Sequence, residues 1–243
     1  MAKLAVIIPV YNEEANVLPL AEEVCAALAD FGDPWELVFV DDGSQDATWE
    51  RICEAARRWS QVRGIRHERN AGQSAALWTG FRLTQSEWIA TLDGDRQNDP
   101  AELPRMLTLL REYDFVSGDR SAHRQDSWIR KVASAVARWV RQRILRSRFR
   151  DTGCGLRVFR REVLVEIPPF DGLHRFLPVL VERAGWRTLE IPVSHRPRPA
   201  GRSKYGIWDR LWRGIYDLIG VRWFLKRRIR PQRVETTDRS FST

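Results

Sequence analysis

The stretch Trp88-Ile89-Ala90-Thr91-Leu92-Asp93-Gly94-Asp95-Arg96-Gln97 decides how the first half of this chain is read. An apolar run that stops at Asp-Gly-Asp reads as a buried strand with two carboxylates, at i and i+2, on its exit. Their oxygens, with the amide of Gln97 two residues on, suit a hard divalent cation that keeps some coordination sites for phosphate. In open parallel sheets ligands bind at the carboxyl ends of strands, so position and chemistry agree. Taken alone, Asp93 and Asp95 could also simply cap a turn, where Asp and Gly are common.

Two more segments repeat the arrangement. Leu37-Val38-Phe39-Val40 runs into Asp41-Asp42-Gly43-Ser44, and Leu4-Ala5-Val6-Ile7-Ile8 runs into Pro9-Val10-Tyr11-Asn12-Glu13-Glu14. Three strand ends thus present Pro, Tyr, Asp, Glu and Gln, groups able to bond a base and ribose or to hold a metal. Between and after them the pattern predicts helices over 13–29, 46–59, 72–83 and 100–111, with Asp46 as an N-cap, and strands over 62–67 and 115–117. This alternation predicts an α/β fold, a mostly parallel sheet covered by helices on both faces.

A chain of 243 residues is long enough for one domain with a full core. Lys and Arg total 40 against 32 Asp and Glu, a net charge of +8 that favours anionic partners. Eleven Trp against 4 Tyr, mixed with Arg, suit a membrane–water interface as well as nucleic acid. Cys25, Cys53 and Cys154 indicate neither a disulfide framework nor a zinc site and read as buried hydrophobes in a reducing compartment. Leu4–Ile8 is a strand rather than a signal-peptide core, and no apolar stretch reaches the roughly 18 residues that span a bilayer. The expected location is cytoplasmic, peripheral on the inner face of the membrane.

The second half changes character. Residues 128–150 read as one long helix with Ile129, Val132, Val136, Trp139, Val140 and Ile144 on one face and seven cations, among them Arg130 and Lys131, on the other. From Trp208 to about Ile229 a second stripe carries Trp208, Leu211, Trp212, Ile215, Tyr216 and Ile219 and ends in Lys226-Arg227-Arg228. Both read either as helices packed on the sheet or as basic amphipathic helices lying in a membrane interface. After Pro231 the chain is polar and reads as a disordered tail. The expected organisation is a catalytic domain over 1–206, an interfacial helix over 207–230 and a tail over 231–243.

The ordered motifs resemble family 2 glycosyltransferases of the GT-A fold: Ile8–Glu14, Asp41–Ser44, Asn70-Ala71-Gly72-Gln73-Ser74-Ala75-Ala76 and Asp93-Gly94-Asp95. The Asp-x-Asp-x-Gln form, then Gly118-Asp119-Arg120, Asp151-Thr152-Gly153-Cys154-Gly155-Leu156-Arg157 and Gly201-Arg202-Ser203-Lys204, narrow the resemblance. That order is similar to the polyprenyl-phosphate branch, the dolichol-phosphate mannosyltransferases and their undecaprenyl-phosphate relatives.

The resemblance implies inverting transfer of a sugar from a nucleotide-diphosphate sugar to a polyprenyl phosphate, with Mg²⁺ or Mn²⁺ as cofactor. Asp93, Asp95 and Gln97 would hold the metal, and Pro9, Tyr11, Glu13, Asp41 and Asp93 the nucleotide. Arg120, Arg130, Ser134, Arg202, Ser203 and Lys204 would line the acceptor and phosphate sites, with Arg120, Arg202 and Lys204 joining Asp93 and Asp95 in catalysis. A lipid monophosphate is largely dianionic at neutral pH and can attack without a dedicated base, given cations to hold it. A sugar-hydroxyl acceptor would instead need a base such as Glu166 or Glu182. His174 and Arg175 stand where relatives carry a carboxamide and a carboxylate, so they touch the donor sugar or acceptor phosphate, or His174 merely starts a helix. A nucleic-acid-binding module is disfavoured, because Asp93 and Asp95 would repel phosphate without a metal. Without an anchor of its own, the chain would reach its lipid through the basic Trp-rich helices, an integral-membrane partner or a homo-oligomer.

Overall fold

The computed structural model describes residues 2–121, 139–197 and 207–228, except the side chains of 207–213. The expected α/β architecture is present. In chain order the strands are β1 (Leu4–Val10), β2 (Trp35–Asp41), β3 (Val62–Arg66), β4 (Trp88–Thr91), β5 (Phe115–Asp119), β6 (Arg157–Arg160) and β7 (Thr188–Pro192). The helices are α1 (Glu14–Ala27), α2 (Thr48–Arg58), α3 (Gln73–Leu83), α4 (Leu103–Thr108), α5 (139–145), α6 (Leu173–Ala184) and α7 (Ile207–Arg227).

One seven-stranded sheet runs in the order β3-β2-β1-β4-β6-β5-β7. β1 is central and every one of its residues is buried, which is why it reads as a continuous apolar run rather than an alternating one. Its two faces feed two cores. Leu4, Val6, Ile8 and Val10 pack with Val17, Leu20 and Val24 of α1 and Ile52 of α2, while Ala5 and Ile7 pack with Leu77 and Phe81 of α3 and Leu177 and Leu180 of α6. At roughly 1.5–3 kcal/mol for each large apolar side chain buried, these layers fix the register of the strands and hence the position of every loop at their ends.

β2, β1 and β4 are adjacent and parallel, so their carboxyl ends lie side by side. β6 is the exception to parallel order: it pairs antiparallel with both β4 and β5, with Thr91 opposite Arg157 and Trp88 opposite Arg160. The beginning of β6 therefore sits at the edge where β4 ends. This reversed strand and β7 are elements that periodicity did not reveal.

Several boundaries differ from expectation. The cap position of α2 is Ala47 rather than the expected Asp46, which stands just before it and accepts from the Thr48 amide at 3.0 Å and from its hydroxyl at 2.5 Å. The helix expected over 128–150 ends at residue 145: Arg146 turns into the left-handed region at φ 53°, and Glu182 of α6 accepts from the Ser147 hydroxyl at 2.5 Å and the Arg148 amide at 3.2 Å. Residues 128–138 lie outside the described residues. α7 occupies nearly the expected range. It packs on α6 through Leu218, Val221, Phe224 and Leu225 and leaves Ile215, Tyr216, Ile219 and Trp223 exposed. The side chains of Trp208, Leu211 and Trp212 and the tail over 231–243 fall outside the described residues. The three cysteines are free, with Cys154 fully buried. Among the described residues no helix is long and apolar enough to cross a membrane.

Candidate active site

The loops after β1 and β2 are bound to each other. Asn12, held at φ 54°, donates its amide to Ser44 Oγ at 2.9 Å and accepts from the Gln45 amide at 2.8 Å. The Glu13 amide donates to Thr48 Oγ1 at 2.8 Å, and the Glu13 carboxylate accepts from Asn16 at 2.6 Å. Pro9 is a buried strand residue opposite Val40, and Tyr11 is half-buried just beyond it. Asp41 is fully buried: its Oδ1 accepts from the Ser44 amide at 2.9 Å, while Oδ2 faces Arg66 Nε at 3.3 Å without accepting a hydrogen bond among the described residues. Asp42 shapes the next loop, accepting from the amides of Ala71 at 2.9 Å and Gly72 at 2.7 Å and bonding His67 at 2.8 Å.

The loop after β4 crosses the end of β1. Gly94 permits this passage, since a Cβ there would lie 2.7 Å from Val10 Cγ1. Asp93 accepts from Gln73 Nε2 at 2.9 Å and from Asn98 Nδ2 at 3.4 Å, and its carboxyl group rests against Gly155 at the start of β6. Burial, and then the charge of Asp95, push the Asp93 pKa above the usual carboxylate range. Asp95 accepts from the Gln97 amide at 3.2 Å, and the Gln97 side chain meets His195 at 3.5 Å. Arg96, at φ 59°, and Arg196 both pair with Glu23 of α1, and Arg196 also pairs with Asp99 at 2.7 Å. The Arg196 amide donates to the Gln97 carbonyl at 2.9 Å, so the segment after β7 is laid along the Asp-x-Asp loop.

Beside this loop lies a group of buried cations. Arg120, which follows β5 directly, is gripped by Asp151 through Nε at 2.8 Å and Nη2 at 3.2 Å. Burial opposes its charge, but the Asp151 pair outweighs that and raises its pKa above the ordinary value. Arg157 is almost wholly buried and donates from Nη2 to the carbonyls of Thr152 at 2.9 Å and His174 at 2.7 Å. Ser74 Oγ accepts from the amides of Gly172 at 3.1 Å and His174 at 3.4 Å, and meets His174 Nδ1 at 2.7 Å. With both acceptor positions of that hydroxyl used, its proton goes to Nδ1, and His174 carries its own proton on Nε2. Burial, then Arg175 and Arg157, depress the His174 pKa to about 3, so the ring is a neutral donor.

The sequence profile of Glycosyl transferase family 2 matches residues 5–167. The chain belongs to that family. The dodecaprenyl-phosphate galacturonate synthase of Rhizobium johnstonii is 37% identical over 234 residues, covering 94% of this chain and 69% of its own length. The undecaprenyl-phosphate 4-deoxy-4-formamido-L-arabinose transferase of Aeromonas hydrophila is 38% identical over 218 residues, covering 89% of this chain and 66% of its own. The chain thus spans about two thirds of the length of these curated relatives, and the polyprenyl-phosphate branch suggested by the motif order is the branch they occupy. The solved structure of mannosyl-3-phosphoglycerate synthase from Rubrobacter xylanophilus superposes with a TM-score of 0.66 at 16% identity, covering 100% of this chain and 80% of that one. Glucosyl-3-phosphoglycerate synthase from Mycobacterium tuberculosis, crystallised with Mn²⁺, uridine diphosphate and phosphoglyceric acid, gives 0.66 at 21% identity, covering 91% of this chain and 78% of that one. The fold of this family 2 glycosyltransferase is GT-A.

In this glycosyltransferase the structure brings together Pro9, Tyr11, Glu13, Asp41, Asp93, Asp95 and Gln97 at one sheet edge, with Arg120 beyond β4 and β6. Arg130, Ser134, Arg202, Ser203 and Lys204 lie outside the described residues. Gly155, Ser74 and Glu23 are site-building residues that sequence reading missed. Glu166 and Glu182 do not join the site: Glu166 pairs with Arg228, and Glu182 is taken by Ser147 and Arg148 near the far end of α6. The donor set fits a divalent metal of the kind that keeps phosphate oxygens among its ligands. Two carboxylates and a carboxamide lie within five residues on one loop, the oxygen donors such an ion takes, and among the described residues no group of three His, Cys, Asp or Glu is placed to hold a metal by itself.

Proposed function

We propose that this glycosyltransferase moves a sugar, with inversion, from a nucleotide-diphosphate sugar to a polyprenyl phosphate at the cytoplasmic face of a membrane, using Mg²⁺ or Mn²⁺. The observation that carries the reading is the Asp93-Gly94-Asp95 loop, pressed against Gly155 and flanked by buried Asp41 on one side and buried Arg120 and Arg157 on the other. Asp41 Oδ2 would accept from the base or ribose, within the pocket framed by Pro9, Tyr11 and Glu13. Asp93, Asp95 and Gln97 would hold the metal, which supplies Lewis-acid neutralisation of the leaving diphosphate.

The remaining work falls to the chain. Arg120, held charged by Asp151, contributes positive potential on the acceptor side, where a dianionic phosphate attacks without a base. Neutral His174, whose carbonyl accepts from Arg157, would offer its Nε2–H as a donor from the same quarter. Arg130, Ser134, Arg202, Ser203 and Lys204 would complete the phosphate site. The helix over 207–230 would lie in the membrane interface, with the residues after it as a tail.

A sugar-hydroxyl acceptor remains a second reading on one observation. Asp171 is exposed at the entry to α6, with its Oδ1 4.0 Å from where a Gly72 Cβ would stand, and it could serve as the base that Glu166 and Glu182 cannot supply. The test is a transfer assay with purified protein, Mn²⁺ or Mg²⁺, undecaprenyl phosphate and a panel of radiolabelled nucleotide sugars. Organic-extractable label that disappears with chelator and with Asp95→Ala is the expected result. Label only in water-soluble product, or unchanged turnover by Asp95→Ala, would refute it.

A further inference from the structure

The most unusual surface of the molecule lies away from the catalytic edge. A groove of about 250 Å³ opens between α5, α6 and α7 and is lined by Arg143, Arg146, Arg183, Arg222 and Lys226 around Ile144, Leu145 and Leu225. All five cations are exposed, and no carboxylate lines the groove. None of the five takes part in an ion pair among the described residues, whereas the neighbouring Arg148 and Arg228 are both taken by carboxylates. Five converging positive charges repel one another, and three helices bring them together without a compensating anion among the described residues. At roughly 30 Å³ per water the volume equals about eight waters, ample for a phosphate group.

The surroundings of the groove say what kind of phosphate. Outward-facing positions on a helix packed against a soluble domain are ordinarily polar. On α7 they are Ile215, Tyr216, Ile219 and Trp223, exposed by 39, 80, 63 and 63%. Ile215, Ile219 and Trp223 stand one turn apart on one stripe, and Arg222 and Lys226 flank it on the side of the groove. Trp139, 65% exposed, lies one turn before Arg143 on α5. An aromatic and aliphatic stripe bordered by cations matches the acyl–headgroup boundary of an anionic bilayer. A second copy of this chain fits poorly, because a symmetric contact would face the basic groove with another of the same sign.

Arg146 strengthens the case. It holds a left-handed backbone, φ 53°, at the end of α5, where glycine is the ordinary residue. That conformation costs a non-glycine residue roughly 1–2 kcal/mol, and the side chain it carries here is a groove cation.

We propose that this groove is a binding site for the phosphate headgroup of an anionic bilayer phospholipid, distinct from the acceptor site, with the α7 stripe seated in the adjoining interface. Arg183 lies nine residues beyond His174 along α6, about 13 Å from the catalytic end at 1.5 Å per residue. The bound lipid would therefore anchor the enzyme beside the membrane without occupying the catalytic cleft. The inference rests on the reading that the acceptor is a lipid presented by a bilayer.

The full chain is tested by co-sedimentation with vesicles of phosphatidylcholine alone or with phosphatidylglycerol, alongside transfer to detergent-solubilised undecaprenyl phosphate. Binding should require phosphatidylglycerol and weaken with salt. Each cation near an anionic surface is worth roughly fivefold in partitioning, so Arg222→Glu with Lys226→Glu should weaken binding by at least tenfold. Arg57→Glu with Arg111→Glu, the same charge change on other exposed surfaces, should weaken it far less. Arg146→Gly removes a groove cation while relieving its backbone, so it should weaken vesicle binding without lowering the thermal midpoint. All these variants should keep the detergent activity.

Equal losses in the two double variants, binding to phosphatidylcholine alone, or no vesicle binding would overturn the site. A dimer in light scattering that the groove variant dissociates would give the face to a second copy and overturn it too. Groove-dependent vesicle binding without transfer in detergent would leave the site standing and remove the proposed reaction instead.

Discussion

Gly155→Ala should silence the enzyme while leaving it folded. A Cβ built at Gly155 would stand 2.3 Å from the Asp93 carboxyl carbon, whereas ordinary contact begins near 3.4 Å, so one partner must move by about 1.1 Å. The β6 side has little freedom: the Gly155 carbonyl accepts from Thr91 Oγ1 at 2.7 Å, and the next carbonyl, of Leu156, accepts from the Gly118 amide at 3.0 Å. The shift therefore falls on Asp93, breaking its 2.9 Å bond from Gln73. A displacement of about 1 Å in a catalytic group costs on the order of 100-fold in rate. The overpacking itself costs about 1–3 kcal/mol of stability, which a domain of this size survives. The assay is kcat/KM for sugar transfer, with Mn²⁺ affinity in the presence of nucleotide read by electron paramagnetic resonance. Gly153→Ala, where an added Cβ would meet Arg120 at an acceptable 3.4 Å, is the control and should stay near wild type. Wild-type transfer and metal affinity in Gly155→Ala would refute the role given to the Asp93 position.

Three other outcomes are expected. His174 titrates near 6.5 when unfolded and at about 3 when folded, so its contribution to stability is complete above pH 6.5 and is lost as pH falls toward 3; urea unfolding should show about 2 kcal/mol lost between pH 8 and pH 5, and His174→Gln should flatten that slope. Gly43→Ala places a Cβ 2.6 Å from the Arg69 and Asn70 backbone at φ 73°, a loss of about 2–4 kcal/mol that calorimetry should register as a fall of roughly 5–10 °C in midpoint. Asp171→Asn should stay within about threefold of wild type with undecaprenyl phosphate, whereas a loss of about 100-fold or more would make Asp171 a general base and favour a hydroxyl acceptor.

The three acidic loops were legible because each follows a buried strand, and parallel neighbours must end at one edge. Nothing in the local pattern announces that Gly155 would cradle Asp93, since the contact depends on β6 running against its neighbours. β6 itself is four residues with Arg at both ends, too short and too polar at its ends to stand out from a loop. Arg157 read as one more cation, yet two carbonyls and a nearly complete absence of solvent make it part of the site's foundation. The Ser74–His174 contact joins residues 100 apart, beyond the reach of any periodicity. The helix over 128–150 was drawn too long for a related reason. Arg146 suits a helix well by propensity, and what stops it is Glu182, a distant acceptor for the hydroxyl and amide that follow.

The distribution of charge around the catalytic edge bears on the choice of nucleophile. A hydroxyl acceptor needs a carboxylate with spare basicity, and most carboxylates here are already engaged. Asp151 holds Arg120, Glu190 accepts from the amides of Arg150 and Asp151, and Asp42 organises the turn before α3. Asp93 and Asp95 share the loop that would hold the metal, near enough for the charge of Asp95 to push the Asp93 pKa up. Beside them, Arg120 and Arg157 are buried cations that feel the negative charges of both Asp151 and Asp93. A divalent metal held by Asp93 and Asp95, as proposed, would take up those carboxylates and leave Asp151 as the counter-charge for the two guanidinium groups. A dianionic phosphate would then offset the remaining positive charge where a neutral hydroxyl would not, whichever sugar is transferred.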